Sequence, residues 1–256
     1  MRIQTPSVLS LLTVIVIVNQ ISCSRFRSSK EDPAALTANQ AAVNKILERY
    51  ELAVGGKEAI ERVKSYRMKG TFILSNMREP GTLEAWGKEP NKTLTVIEFP
   101  RIGTLKKGYD GDTRWVQTPG GTVSETGPQE IAEMERDAAV YSAASIRNQF
   151  ESMRMEYNAW LSGREMNVIE GIPSKGPSER LFFDVENGLL VRWDMARKQL
   201  PRGTVFVKVH LNDYREVDGV KIPFDIRFAF ESFNFTVRLD EMQHNVQIDD
   251  AIFRKP

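Results

Sequence analysis

Residues 204–244 read TVFVKVHLNDYREVDGVKIPFDIRFAFESFNFTVRLDEMQH. Alternation of apolar and polar side chains runs through residues 204–216, 220–230 and 235–244. A period of two marks a strand that turns one face to a core and the other to water. Val217-Asp218-Gly219 separates the first two runs, and Asp-Gly between β-prone segments signals a tight hairpin. Consecutive strands joined this closely pair antiparallel, because a parallel neighbour needs a crossover of a dozen or more residues.

The same pattern repeats outward. Residues 179–185 and 189–196 flank Glu186-Asn187-Gly188, and residues 155–162 and 165–171 meet at Gly163. Nearer the N-terminus, residues 65–74, 82–88, 92–99, 102–109 and 113–118 are broken by Glu89-Pro90-Asn91, Pro100-Arg101 and Asp110-Gly111. Residues 249–253 read as a last strand, and residues 119–127 as a loop. Helical spacing is confined to a few segments. Val43, Ile46, Leu47, Tyr50 and Val54 line one face of a helix over residues 41–54, stopped by Gly55-Gly56. A short helix over residues 57–63 follows; Pro128 suits the first turn of another over residues 128–141, with a further piece through Ile146 and Phe150. The expected class is therefore mostly antiparallel β, with about a dozen strands.

The chain of 256 residues is long enough for one sizeable domain. Lys and Arg total 35 against 34 Asp and Glu, with no like-charge run, so nothing recommends nucleic acid as a partner. Before Arg25 the only charge is Arg2, and an apolar run over residues 8–18 lies between them. That run is too short to span a bilayer but has the length of a signal-peptide core, so residues 1–22 read as an export signal. The sole cysteine, Cys23, follows Ile21-Ser22 where a lipobox places its lipidated residue. A lipid anchor on Cys23 is expected; the alternative is a leftover thiol beside an ordinary cleavage site. Residues 23–35 then form a polar tether, and residues 36–256 a single domain in the periplasm, anchored to the outer membrane.

Chemistry is sparse. His210 lies on the polar face of its strand and His244 near a strand end, and neither has metal-ligand spacing. Asp110/Asp112, Asp184/Glu186 and Asp249/Asp250 sit at turns, where Asp bonds its own backbone. No catalytic residue, metal or cofactor is expected, and the chain reads as a binder rather than an enzyme. An esterase would require a Ser or Asp beside one of the histidines. The aromatic crowding of the C-terminal half is the more informative feature. Two outcomes fit it: a closed core against helices, the commoner one, or a concave wall left open for an apolar guest. In the second case the lining is Phe72, Leu94, Val96, Val191, Trp193, Val207, Val209, Phe228, Phe230, Phe235 and Val237.

Several segments resemble the LolA/LolB-like family of bacterial lipoprotein-sorting proteins. They are YELAVGGKEAIERV (50–63), GYDGDTRWVQT (108–118), LFFDVENGLLVR (181–192), DYREVDGVKIPF (213–224) and NVQIDDAIFRKP (245–256). These segments set turns and strand starts, and the resemblance runs from about residue 45 to the C-terminus. It implies an open, unclosed half-barrel whose helices cover the concave face, and a hollow that takes lipids or the acyl chains of lipoproteins. No position matches the arginine through which carriers of that family govern release. The segments 41–63 and 128–150 would form a movable lid. The competing expectation is the same fold with a filled core, presenting an edge to a protein partner in the envelope.

Overall fold

The computed structural model describes residues 33–125, 146–174, 176–199 and 203–256. The export segment, Cys23, most of the tether and the helix expected over residues 128–141 lie outside these. Two helices lead the described chain, α1 (Pro33–Ala53) and α2 (Lys57–Glu61). A first run of strands follows: β1 (Ser65–Leu74), β2 (Gly81–Lys88), β3 (Lys92–Phe99), β4 (Gly103–Tyr109), β5 (Arg114–Gln117) and β6 (Val123–Glu125). The second run is β7 (Ser152–Leu161), β8 (Arg164–Ile172), β9 (Glu179–Asp184), β10 (Leu190–Gln199), β11 (Gly203–Val217), β12 (Val220–Ala229) and β13 (Asn234–His244). A 3₁₀ turn, Asp250–Phe253, ends the chain.

All thirteen strands form one sheet, in the order β6-β5-β4-β3-β2-β1-β13-β12-β11-β10-β9-β8-β7. Each run is an antiparallel meander whose hairpins follow the turns expected above. The two meanders are joined by a single long-range pairing, β1 against β13, with a bulge between Lys69 and Gly70. The outer strands β6 and β7 do not meet, so the sheet is an unclosed half-barrel.

Three local differences from the sequence pattern have physical causes. Helix α1 begins at Pro33, so residues 33–35 are helical rather than tether. Pro is at home in a first turn, where its missing N–H leaves no bond unmade, and the alanines after it favour helix. Residues 249–253 form the 3₁₀ turn rather than a strand, because the Asp249 carboxylate accepts from the Ala251 N–H and caps it. The loop 119–127 contains the short strand β6, which pairs with β5.

Helix α1 packs on the inner face of the second meander. Val43, Leu47, Tyr50 and Val54 are buried there against Leu181, Phe183, Trp193, Val207 and Val209. Its position is pinned by polar bonds at both ends. The Asn39 side chain donates to the Met155 carbonyl and accepts from the Met155 N–H, both at 2.9 Å. A side-chain amide thus satisfies backbone groups of the edge strand β7, which would otherwise invite another chain to pair. At the other end Arg49 donates to the Glu186 carbonyl at 2.7 Å.

The outer face has its own covers. Trp115, Leu94 and Phe253 form a buried cluster with Trp86, Val96 and Ile248 around it, and the Trp115 indole donates to the Phe253 carbonyl at 2.8 Å. The indole lies across Gly108, where a Cβ would come within 2.3 Å of it. A second outer cluster joins Met166, Val168, Phe182 and Val191. Phe253 is fully buried. Phe253→Ala is expected to cost about 3–5 kcal/mol, seen as a lowered denaturant midpoint at unchanged slope.

Candidate functional site

Among the described residues, the inner face of the first meander is not filled as the second is. A hollow of about 590 Å³ lies over β1–β4, closed at one side by β12 and β13. Strand register arranges its wall in rows. The first row crosses the sheet as His244, Tyr66, Gly87, Thr93, Tyr109 and Arg114. The second is Met242, Met68, Ala85, Thr95 and Lys107, and the third Leu239, Gly70, Leu83, Ile97 and Leu105. The fourth runs Ile226, Val237, Phe72 and Gly81. Tyr66 and Phe72 lie six positions apart on β1. At about 3.3 Å per residue the wall is about 20 Å from its first row to its fourth.

The hollow exists because β2 and β3 turn small or short side chains inward. Gly81, Ala85 and Gly87 alternate with outward residues on β2, and Thr93 and Thr95 do so on β3. Gly87 is required by its neighbour: a Cβ there would lie 2.2 Å from the Tyr66 ring, which covers it. The far end is aromatic. Phe235 stacks on Phe72 at 5.0 Å and on Phe228 at 4.5 Å, and Phe99 meets Phe72 edge-on at 5.7 Å. The near end is polar, with Lys64, Lys88, Lys92, Lys107 and Arg114 around the rim and Glu89 the one carboxylate among the described lining residues.

The structure separates the residues expected to line a cavity into three groups. Phe72, Phe228, Phe235 and Val237 line the hollow. Trp193, Val207 and Val209 face inward but are buried beneath α1, and Phe230 packs beside that core, stacked on Phe233. Leu94, Val96 and Val191 face the other way, which corrects the expectation for these three. The C-terminal turn covers the outer face of β3, so apolar residues occur on both of its faces and hydrophobicity alone does not choose between them. Val191 sits at the irregularity in the pairing of β10 with β9, which reverses its side relative to a regular strand. Met68, Leu83, Ala85, Ile97 and Leu105 belong to the wall and were missed. The inward row of small residues on β2 was the sequence signal for them. The lid expected over residues 41–63 also changes: α1 lies over the filled half, and only Val63 of this segment borders the hollow.

The histidines stand apart from any such chemistry. His210 lies between Arg192 and Arg227 on the neighbouring strands. Burial and then these two cations push its pKa below the ordinary value. His244 Nδ1 is 3.5 Å from Asp218 Oδ2, and burial outweighs that carboxylate in lowering its pKa. Among the described residues no serine hydroxyl is hydrogen-bonded to either imidazole, and no three His, Cys, Asp or Glu side chains converge as a metal site. No helix among them is long and apolar enough to cross a membrane.

This open half-barrel is shared with several solved structures. No family model and no curated protein matches the chain by sequence, so the likeness is one of structure. A DUF1329 family protein from Desulfovibrio piger superposes with a TM-score of 0.59 at 14% identity, covering 83% of this chain and 97% of that one. A Vibrio parahaemolyticus domain described as an outer membrane lipoprotein-sorting protein gives 0.57 at 12% identity, covering 82% and 97%. A LolA superfamily protein from Nitrosomonas europaea gives 0.55 at 12% identity, covering 83% and 97%. At these identities the likeness establishes the fold.

Two of the rim lysines are tied to the C-terminal turn. Lys88 donates to Asp250 at 2.6 Å, and Lys92 binds its other oxygen. These ammonium groups hold the Asp250 carboxyl at about 2, down from 3.8. A depressed carboxyl contributes its stability above its unfolded pKa and loses it as pH falls through the folded one. The wild type should therefore lose stability between about pH 4 and 2 more steeply than Asp250→Asn, as urea titrations across that range will read.

Proposed function

We propose that this protein is a cell-envelope carrier or binder of lipids or lipoprotein acyl chains, held at a membrane surface through a lipidated Cys23 after removal of residues 1–22. The observation that carries this reading is the hollow over β1–β4, walled by Met68, Phe72, Leu83, Ile97, Leu105 and Phe235. Its volume of about 590 Å³ is within the range of small-molecule sites. At roughly 30 Å³ for a water-sized group, it accommodates on the order of twenty such groups, the length of one long acyl chain. Each methylene moved from water onto this wall gains about 0.8 kcal/mol. The lipoprotein-sorting description of one structural neighbour agrees with this reading.

A single acyl chain anchors a protein weakly, whereas the several chains of a bacterial lipoprotein anchor firmly. Lipidated Cys23 would keep the hollow beside a source of lipid in the periplasm, at the outer membrane. No catalytic step is required of it: binding and release are the whole activity. A filled core that serves only protein contact is the other reading of the same fold, and it fits the half beneath α1.

Thr95 lines the hollow in the middle of its wall, and its side chain is not in either buried core cluster. Thr95→Trp is expected to fill the space and weaken binding of a fluorescent fatty acid at least about tenfold (1.4 kcal/mol), with little change in Tm. Phe228→Asp, which places a charge on the apolar wall, should weaken binding similarly and also lower Tm, since it removes the ring stacked on Phe235. A folded variant of either kind that binds like the wild type contradicts the proposal.

A further inference from the structure

We infer that the ligand of the hollow is an amphiphile with an anionic head, a carboxylate or phosphate, bound at the Lys107–Arg114 end with its chain running toward Phe72 and Phe235. This rests on the hollow being a lipid site and adds which lipids and in which direction.

The wall is graded along the strands rather than uniformly apolar. Its fourth row and the adjoining phenylalanines offer only hydrocarbon. Its third row is Leu239, Gly70, Leu83, Ile97 and Leu105. Hydroxyls and full charges enter together in the next two rows, Thr95 with Lys107 in the second and Thr93 with Arg114 in the first. A guest that is apolar at one end and charged at the other matches this order in one orientation only.

The sign of the head follows from the rim. Lys64 is answered by Glu89 at 3.0 Å, and Lys88 and Lys92 share Asp250. Those three ammonium groups are thus engaged, Lys88 and Lys92 by the turn that covers the outer face of β3. Lys107 is on the inward side and exposed, and among the described residues no carboxylate lies within ion-pair reach of it. Arg114 is 5% exposed, and its guanidinium lies 3.7 Å from the centre of the Tyr109 ring. That stacking holds a guanidinium cation at this end of the wall. Lys107 is the informative position, since it follows Leu105 on the inward side of β4, where the pattern of the strand calls for another apolar residue. A lysine there adds nothing to a core and serves a charged guest.

The test compares three probes of equal chain length on the purified full chain: palmitate, hexadecyl phosphate and hexadecanol. Each competes with the neutral dye N-phenylnaphthylamine, in wild type and in Lys107→Glu. At least one anionic probe should displace the dye at about one tenth of the hexadecanol concentration, with a margin that shrinks as salt screens the rim. Lys107→Glu should narrow that margin, and the better of the two anions names the head group. If hexadecanol competes as well as both anions, the anionic head is overturned while the lipid site stands. If none of the three competes, the lipid site fails and this inference with it.

Discussion

The pairing of β1 with β13 is the contact on which the rest of the structure depends. Every other strand pair lies within one of two meanders and forms by closing a short turn. This one joins segments near the two ends of the sheet-forming chain and makes one sheet of two. Without it, two smaller sheets would each expose an additional edge. The contact is close enough to dictate a residue: a Cβ on Gly70 would stand 2.2 Å from the Arg238 carbonyl oxygen. Once the sheet is continuous, its inner face is broad. Thirteen strands at about 4.8 Å spacing span on the order of 58 Å between edges, whereas a helix is about 10–12 Å wide. Helix α1 therefore buries one half of that face and leaves the other to α2 and the small residues of β2.

The division of the inner face joins the two outcomes that sequence left open. A closed core and an open wall are both present, side by side. The closed part is tied through Asn39 to Met155 and Arg49 to Glu186, which hold α1 against the second meander. The open part has the exposed Lys107 on its inward side.

Hairpin positions were legible because Asp-Gly and Asn-Gly turns and period-two alternation act locally; β1 and β3 occupy the residues their patterns marked. The faces of the strands were less legible. Leu94 and Val96 read as inward because they are apolar, yet the C-terminal turn with Phe253 covers them from outside. That cover lies about 160 residues away in the chain and no local pattern announces it. Phe72, Phe228, Phe235 and Val237 were read as wall residues and do line the hollow. The wall's most decisive features were missed because they are absences of side chain: Gly87 and Ala85 leave space, and hydrophobic patterning registers only what fills it. Lys107 and Arg114 were passed over for a similar reason, since a charge on a strand looks solvent-facing until register places it in a row with Met68 and Ala85.

The central claim is that the half of the inner face over β1–β4 holds a lipid chain. Native mass spectrometry of the protein, expressed in a bacterial envelope and purified without detergent, tests it most directly. The expected result is a bound mass that extracts into organic solvent and identifies as a lipid or fatty acid. A clean apoprotein that also fails to take up added palmitate would contradict it.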